Sequence, residues 1–403
     1  MISKSGLPLE VKFCKKCVIS NQRPSSTVEF KSNNDKRKTT IRFDDSGICD
    51  SCNYTKEKYN VINWKEREKQ LLELLDKFRS NNENYDVVVP GSGGKDSAFA
   101  SHILKYKYGM NPLTVTWAPH LYTEIGSKNF DNWVRVGGLD NILFTPNGKI
   151  HSHLTSLAFK NLCHPFQPFI IGQKIIGPSI AKKFGIKLVM YGESQAEHGN
   201  AIEETLIPEM SDKYFSNTDI NELRFGGQSI NEIIRNSNFN INDFKPYIPL
   251  TKNELSESNI QFNYLGYYLK WDQQENYYYA VKNTGFEPNP ERTEGSYSKH
   301  SSIDDKIDPF HYYTTLIKFG LGRSTYNAAQ EIREDKITRE EGIALVKKYD
   351  MEFPNKYFRE FLDYVSLKED DFWKIIDANR PDHLWHKKNN EWKLSNPIWS
   401  YEL

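Results

Sequence analysis

The sequence predicts an α/β fold built on a parallel sheet, with a small metal-binding unit ahead of it and a helical region behind. Three observations carry this. Short apolar runs alternate with helix-like segments from Tyr85 to Tyr191, and such alternation places helices on both faces of a parallel sheet. Two Cys-x-x-Cys pairs, Cys14–Cys17 and Cys49–Cys52, precede it. Between the apolar run Val87-Val88-Val89 and the helix-like Ala98–Leu104 stands Pro90-Gly91-Ser92-Gly93-Gly94-Lys95-Asp96-Ser97.

That last stretch organises the chain. Gly91, Gly93 and Gly94 have no Cβ, so the backbone can take positive φ and approach an anion. The free amides of the following helix point at the same place, and the macrodipole favours negative charge there. Ser92 and Ser97 add hydroxyls and Lys95 a cation. The spacing is not that of a Walker loop, which needs four residues between its glycines and ends in Gly-Lys-Ser/Thr. Ser92-Gly93-Gly94-Lys95-Asp96-Ser97 instead resembles the PP-loop of the ATP pyrophosphatases (adenine nucleotide alpha hydrolase-like). Its members hold pyrophosphate in this loop and transfer AMP to a substrate oxygen.

In the first unit, residues 1–62, two knuckles can aim four sulfurs at one ion, with Zn–S bonds of about 2.3 Å. Ser26–Phe30 and Thr39–Phe43 alternate like strands, joined by the polar turn Asn33–Lys36. The expectation is a zinc ribbon, its metal structural because four thiolates leave no open position. A redox dithiol or unrelated thiols are the rival readings. Lys12, Lys15, Lys16, Arg23, Lys31, Lys36, Arg37 and Lys38 make the unit basic, as a solvated face or a docking surface. The helix Trp64–Ser80 has apolar residues at helical spacing and is read as core.

The nucleotide-binding domain is expected over 63–250. Its strands are Asp86–Val89, Leu113–Trp117, Asn141–Phe144 and Lys187–Tyr191; its helices are Lys95–Tyr108, Lys128–Gly137, Ile150–Leu162 and Gly172–Phe184. Ligands of such sheets bind beyond the carboxyl ends of the strands. Those ends carry the loop, Ala118-Pro119-His120 and Gly192-Glu193-Ser194-Gln195. Glu193 there suits magnesium or a substrate hydroxyl, and Ser194 the adenine or the substrate; a plain polar loop is the other reading. His151, His153 and Cys163 show no defined role, and Cys163 reads as a buried thiol.

Residues 251–403 are rich in aromatics and then helical. Tyr264 to Tyr279 is read as core in preference to a stacking surface. Helices are expected at Phe310–Phe319, Thr325–Glu334, Arg339–Tyr349, Lys356–Tyr364 and Lys368–Ala378, with Thr338 and Glu341 forming a capping box. An irregular tail with Trp385, Trp392 and Trp399 follows.

Taken together, the two cysteine pairs, the loop, Tyr191-Gly192-Glu193-Ser194, His300-Ser301-Ser302-Ile303-Asp304-Asp305-Lys306, Ile317–Arg323 and Ile337–Gly342 resemble the N-acetyl sugar amidotransferases of bacterial surface-glycan biosynthesis. That group makes acetamidino sugars for lipopolysaccharide O-antigen and for flagellin-modifying acids such as pseudaminic acid. The resemblance implies adenylation of an acetamido oxygen, then displacement of AMP by ammonia. It implies that Ser92, Gly93, Gly94 and Ser97 hold pyrophosphate, Asp96 holds Mg²⁺, and Lys95 offsets the leaving group's charge. Arg323 and Lys306 either close over the phosphates or are ordinary surface cations.

The sugar stands as a UDP-linked uronic acid, a CMP-linked nonulosonate or a free sugar. Met1-Ile2 exposes no N-terminal cysteine and Cys163 lacks a glutaminase elbow, so the resemblance implies separate glutaminase and barrel-type ammonia-channelling partners. Lys plus Arg and Asp plus Glu each number 53, which gives no global attraction to nucleic acid. This disfavours the runner-up, a PP-loop enzyme that modifies tRNA. A nucleotide-binding scaffold without activity is the third reading. No apolar run is long enough to span a membrane and no signal peptide is visible, so the chain reads as cytoplasmic.

Overall fold

The valine run of the sequence becomes the central strand. In the computed structural model, residues 2–3, 6–32, 38–80, 84–217 and 219–401 are described. Five strands form one sheet: β1 (Val87–Pro90), β2 (Pro112–Trp117), β3 (Asp140–Phe144), β4 (Leu188–Tyr191) and β5 (Gln261–Tyr264). Their order is β3-β2-β1-β4-β5 and every pairing is parallel. This is the parallel α/β sheet that the sequence predicts. The four expected strands agree to within one residue. The fifth was not expected, and it lies beyond residue 250, where the sequence reading ended the nucleotide domain.

Both faces of the sheet are buried, as a parallel sheet requires. Val88, Val115 and Val189 point into the main core, while Val87, Val89, Leu188 and Met190 face a second core with Leu71, Leu75 and Leu104. The crossovers are α3 (Lys95–Tyr106), α4 (Glu124–Arg135) and α5 (Gly148–Leu162) with α6 (Gln167–Phe184). Ahead of the sheet stand α1 (Asp50–Asn60) and α2 (Trp64–Phe78). The chain runs from β1 outward to β3, then returns to the other side of β1 as β4. That reversal opens a crevice at the carboxyl ends of β1 and β4.

The N-terminal unit departs from the expected ribbon. Its four cysteines do cluster, with sulfurs all within 4.8 Å of one another, but the two strands do not form. Phe30 is buried in the main core, Gln167 Nε2 donates to the Glu29 carbonyl at 2.8 Å, and Glu29–Lys31 is a single 3₁₀ turn. The body of the protein has taken the first strand's partners. What remains between the two segments is one isolated bridge, Pro24 to Thr40; a second, Phe43 to Cys49, lies within the second knuckle. The turn at Asn33–Lys36, with Arg37, lies outside the described residues.

After the sheet come α7 (Gln273–Thr284), α8 (Asp308–Phe319), α9 (Arg323–Arg333) and α10 (Arg339–Tyr349), then Phe358–Val365 and Glu369–Ala378. The Thr338–Glu341 capping box is present. The tail is more regular than expected: Trp385–Lys388 and Glu391–Leu394 form a hairpin, turned by Asn389 and Asn390 at φ 53° and 63°. No helix among the described residues is long and apolar enough to cross a membrane.

The cysteine geometry fits a tetrahedral metal. Cys14 to Cys52 and Cys17 to Cys49 are each 3.8 Å between sulfurs, close to the edge of about 3.8 Å that four 2.3 Å Zn–S bonds require. Backbone amides of Lys16, Cys17 and Cys49 lie 3.4 to 3.5 Å from Cys14 Sγ, the arrangement that steadies a thiolate. Metal analysis of the purified chain should therefore return one zinc per chain and no inorganic sulfide. Chelation, or Cys14→Ser, should lower the thermal midpoint; an unchanged midpoint after complete metal loss would remove the structural role.

Candidate active site

Three close backbone approaches shape the phosphate-type loop. A Cβ on Gly91 would lie 2.1 Å from Ser97 Cβ, so the loop closes on its own helix. Gly93 has φ +85° and its α-carbon sits against the backbone of Asn129 and Phe130 in α4. A Cβ on Gly192, just after β4, would meet the Asp96 carbonyl at 2.6 Å and Ala100 Cβ at 2.9 Å. Only a hydrogen fits at each point. The β4 corner is thereby pressed against the first turn of α3, which brings Glu193 beside the loop.

The loop faces a cavity of about 640 Å³. Ser92, Gly93, Gly94, Lys95, Asp96, Ser97, Glu193, Ser194 and Arg323 all line it, so the residues singled out for catalysis and nucleotide binding are brought together. Lys95 Nζ lies 2.9 Å from Asp96 Oδ2, and Asn276 Nδ2 of α7 donates to Asp96 Oδ1 at 3.0 Å. Asp96 is one-quarter exposed. Its hard oxygens, aimed from a helix N-terminus into a polar cavity, fit a magnesium ion. Ser97 differs from expectation: its hydroxyl donates to the Gly94 carbonyl at 3.0 Å and so stays within the loop.

Glu193 pairs with His198 Nε2 at 3.0 Å. Burial alone would raise its carboxyl, but Lys174, His198 and Lys95 outweigh that and hold it down at about 2. It is a fixed negative charge at any physiological pH.

The opposite wall comes from residues 300–323. His300 stacks on Tyr277 with ring centres 4.4 Å apart. Burial, with Lys95 and Arg323 nearby, pushes its imidazole down to about 4, so the ring is neutral. Asp305 is fully engaged: it accepts from His120 Nδ1 and the His120 amide, each at 2.7 Å, and from the Ile307 amide at 2.9 Å. The Ala118–His120 rim thus acts inward, bracing this wall. Asp304 and Asp308 line the cavity with their carboxyls raised, Asp308 to about 7, because burial and neighbouring carboxylates outweigh the nearby cation Arg323 at Asp308 and Lys95 at Asp304. Arg323 lies over the Tyr312 ring at 4.2 Å.

Other candidates fall elsewhere. Lys306 reaches Glu360 at 3.6 Å and does not line the cavity, so it cannot close over phosphates in this arrangement. His151 bonds Tyr247 Oη at 2.8 Å and His153 packs on Phe239. Cys163 is buried, its thiol pushed up to about 11 by that burial. The cysteine cluster also stands apart from the cavity. Sequence reasoning assigned no role to Asp304, Asp308, His300, Lys174 or Asn276. Asp304 and Asp308 had a signal in their carboxylates set among Ile303, Ile307 and Phe310; Asn276, one polar residue on a polar helix, had none.

Two consequences are measurable. Gly192→Ala should destabilise the fold by about 1–3 kcal/mol, since the clash is with backbone that cannot swing away, and should weaken ATP binding; urea unfolding and nucleotide titration check this. Asp308 keeps its proton in the folded chain up to about pH 7, whereas an unfolded carboxyl loses it near pH 4. Between those values the unfolded chain binds fewer protons, so the stability of the nucleotide-free protein falls as pH rises. Asp308→Asn should flatten that decline in a pH series of unfolding midpoints.

Comparison with known proteins bears on the second wall. Residues 294–398 match the family model of the LPS biosynthesis protein WbpG-like, C-terminal domain. An uncharacterized protein of Methanocaldococcus jannaschii is 35% identical over 80 residues, 20% of this chain and 28% of that protein's length. The NH3-dependent NAD synthetase of Campylobacter jejuni is 15% identical, covering 34% of this chain and 59% of that one with a TM-score of 0.27. The U34-tRNA thiolase NcsA of Methanococcus maripaludis, solved with its 4Fe-4S cluster, is 14% identical, covering 76% of this chain and 86% of that one with a TM-score of 0.31. His300, Asp304, Asp308 and Arg323 all fall within the segment that matches this domain model, and all line the cavity that the loop faces.

Proposed function

We propose that this chain is an ATP-dependent amidotransferase that converts the N-acetyl group of a bacterial glycan-precursor sugar to an acetamidino group. One observation carries the reading. A single cavity is walled on one side by the loop Ser92–Ser97 and on the other by residues of the segment matching the lipopolysaccharide-biosynthesis domain. A phosphate cradle facing a glycan-linked wall suits a reaction joining ATP to a sugar.

An acetamido carbonyl is a poor electrophile and its oxygen a poor leaving group. Attack of that oxygen on the α-phosphorus of ATP forms a C–O–P link and releases pyrophosphate. Ammonia then adds to the amide carbon, and the C–O bond breaks with its electron pair leaving on AMP. One ammonia proton is given up, and the acetamidinium remains on the sugar nitrogen.

Positioning and charge balance supply most of such a barrier reduction. The Gly93 and Gly94 amides with Ser92 would hold the pyrophosphate, and Lys95 would offset its charge. Asp96, steadied by Asn276, would hold Mg²⁺, which neutralises phosphate charge when bound. Glu193 would take a sugar hydroxyl, and Arg323 would approach the phosphates from the far wall. Cys163 is sealed in the core and the other four cysteines are clustered, so none offers a glutaminase thiol. Ammonia would come from a separate glutaminase with a barrel-type channelling subunit.

Mass spectrometry of N-acetylated nucleotide sugars incubated with the protein, MgATP and ammonium tests this. Exchange of O for NH lowers the sugar mass by about one unit, with one AMP formed per conversion. Asp96→Ala should reduce both products by about 100-fold or more. AMP release without a changed sugar would redirect the activity to another acceptor, tRNA first. Neither product, with the glutaminase pair present, would overturn the reading.

A further inference from the structure

A second cavity, of about 310 Å³, adjoins the first and shares Glu197, His198, His311, Tyr312, Arg323 and Gln330 with it. Its own walls include Arg23, Thr315, Tyr326 and Arg333. Three guanidinium groups therefore surround it. Arg23 and Arg333 are only 4% and 1% exposed, a burial that arginine seldom reaches unless fully paired.

The pairing here is incomplete. Arg333 pairs with the Glu197 carboxylate, and Arg23 donates to the Glu197 backbone carbonyl. Arg23 and Arg323 lie over the rings of Tyr326 and Tyr312, at 5.1 and 4.2 Å. Yet Arg23 Nη1, Arg323 Nε, and Arg333 Nε and Nη1 are buried without a hydrogen-bond partner. Glu197 is held ionised by Arg333 and Arg23 against the pull of burial, so it cancels one charge of the three.

No other group in the walls cancels the rest, although behind Arg333, outside those walls, Cys17, Cys49 and Cys52 act on its charge. His311 is kept neutral by burial, and Tyr312 and Tyr326 are pushed up by theirs. Asp308, beyond Arg323, titrates near 7, and Asp350 is spent on the amides of Gly322 and Thr325. Buried guanidinium N–H groups left open cost several kcal/mol between them. An oxyanion among the three side chains is what balances the positive charge left over.

We propose that this side cavity is an anion subsite that takes a carboxylate or phosphate group of the acceptor sugar while its acetamido group faces the loop. The assignment to the acceptor rests on the function proposed above; the anion site itself does not. The phosphates of ATP are a poorer fit. None of Ser92–Ser97 lines the side cavity, and neither Arg23 nor Arg333 lines the main one. The two walls serve different groups, with Arg323 between them.

The test uses the full chain with its loop filled by a saturating non-hydrolysable ATP analogue. Inorganic phosphate should still bind to the wild type. Gln330→Glu, isosteric and facing both cavities, adds one negative charge and should weaken phosphate binding about tenfold or more, equivalent to about 1.4 kcal/mol. Arg23→Gln should do the same, and an unchanged thermal unfolding midpoint shows that each variant is folded. No phosphate binding by the wild type, or binding that both variants leave intact, would overturn the subsite whatever the enzyme's activity.

A second arm compares N-acetylneuraminate, UDP-N-acetylglucosamine and neutral N-acetylglucosamine. Preference for the first assigns a carboxylate, and for the second a phosphate, each lost in Gln330→Glu. Equal binding of charged and neutral sugars, with phosphate binding intact, would overturn the acceptor assignment and leave an anion site for another ligand. An equal loss of ATP-analogue affinity in Gln330→Glu and Arg23→Gln would give the arginines to ATP.

Discussion

The structure depends on how closely backbone can approach backbone around the end of β1. The chain leaves β1 through a loop that closes on Ser97, lies against α4 at Gly93, and is pressed by the β4 corner at Gly192. These contacts exist because the strand order reverses here, bringing β1 and β4 side by side with their carboxyl ends open. Any side chain at those points would separate the two rims. With hydrogens there, Glu193 from beyond β4 and Lys95–Asp96 from the first turn of α3 share one cavity.

Around that cavity the charges are arranged in opposition. Lys95, Lys174 and Arg323 stand against Asp96, Glu193, Asp304 and Asp308. Their environments differ enough to separate their titration. Glu193 is flanked by Lys174 and His198 and stays ionised, whereas Asp308 is buried among other carboxyls and holds a proton close to neutral pH. Carboxylates split in this way can do different work at one pH, one as a fixed charge and the other as a group that answers to its surroundings. An arriving magnesium ion or ammonium would favour ionised Asp308, while pyrophosphate would favour the protonated form. The far wall is therefore sensitive to what occupies the near one.

Much of this was legible in the sequence, for identifiable reasons. Val87–Val89 and the loop after it combine two local signals, an apolar run and a glycine pattern, and both survive in the fold. The loop's own residues and Glu193 sit at strand ends, which topology alone sends to the site. β5 was hidden because Gln261-Phe262-Asn263-Tyr264 looks like the aromatic stretch that follows it; its place is set by pairing with β4, a contact of some seventy residues' separation. The ribbon strands failed for a similar reason. Their alternation was real, but Phe30 and Glu29 gained more from the main core and from Gln167 and His164 than from each other. Asp304, Asp308 and Asn276 were invisible as a group because two helices and the segment between them, all far from residue 96 in sequence, bring them to the loop.

The cysteines do not line the main cavity, but they reach the side one, where Cys17, Cys49 and Cys52 act on the charge of Arg333. Arg339 donates to the carbonyls of Cys17 and Cys14, and Lys58 of α1 meets Glu334 at 2.5 Å with both side chains buried. These bonds tie α9 and α10 to the cysteine knuckles. Arg23 follows the first knuckle closely in sequence, and Arg333 ends α9, so the two arginines of the side cavity come from the two bodies the unit clamps together. Glu197 bridges them, its carboxylate on Arg333 and its carbonyl on Arg23. A cluster of like charges would push those bodies apart if only side-chain pairing held them. A metal held by the four cysteine sulfurs would add a constraint that does not weaken with the charge in the side cavity.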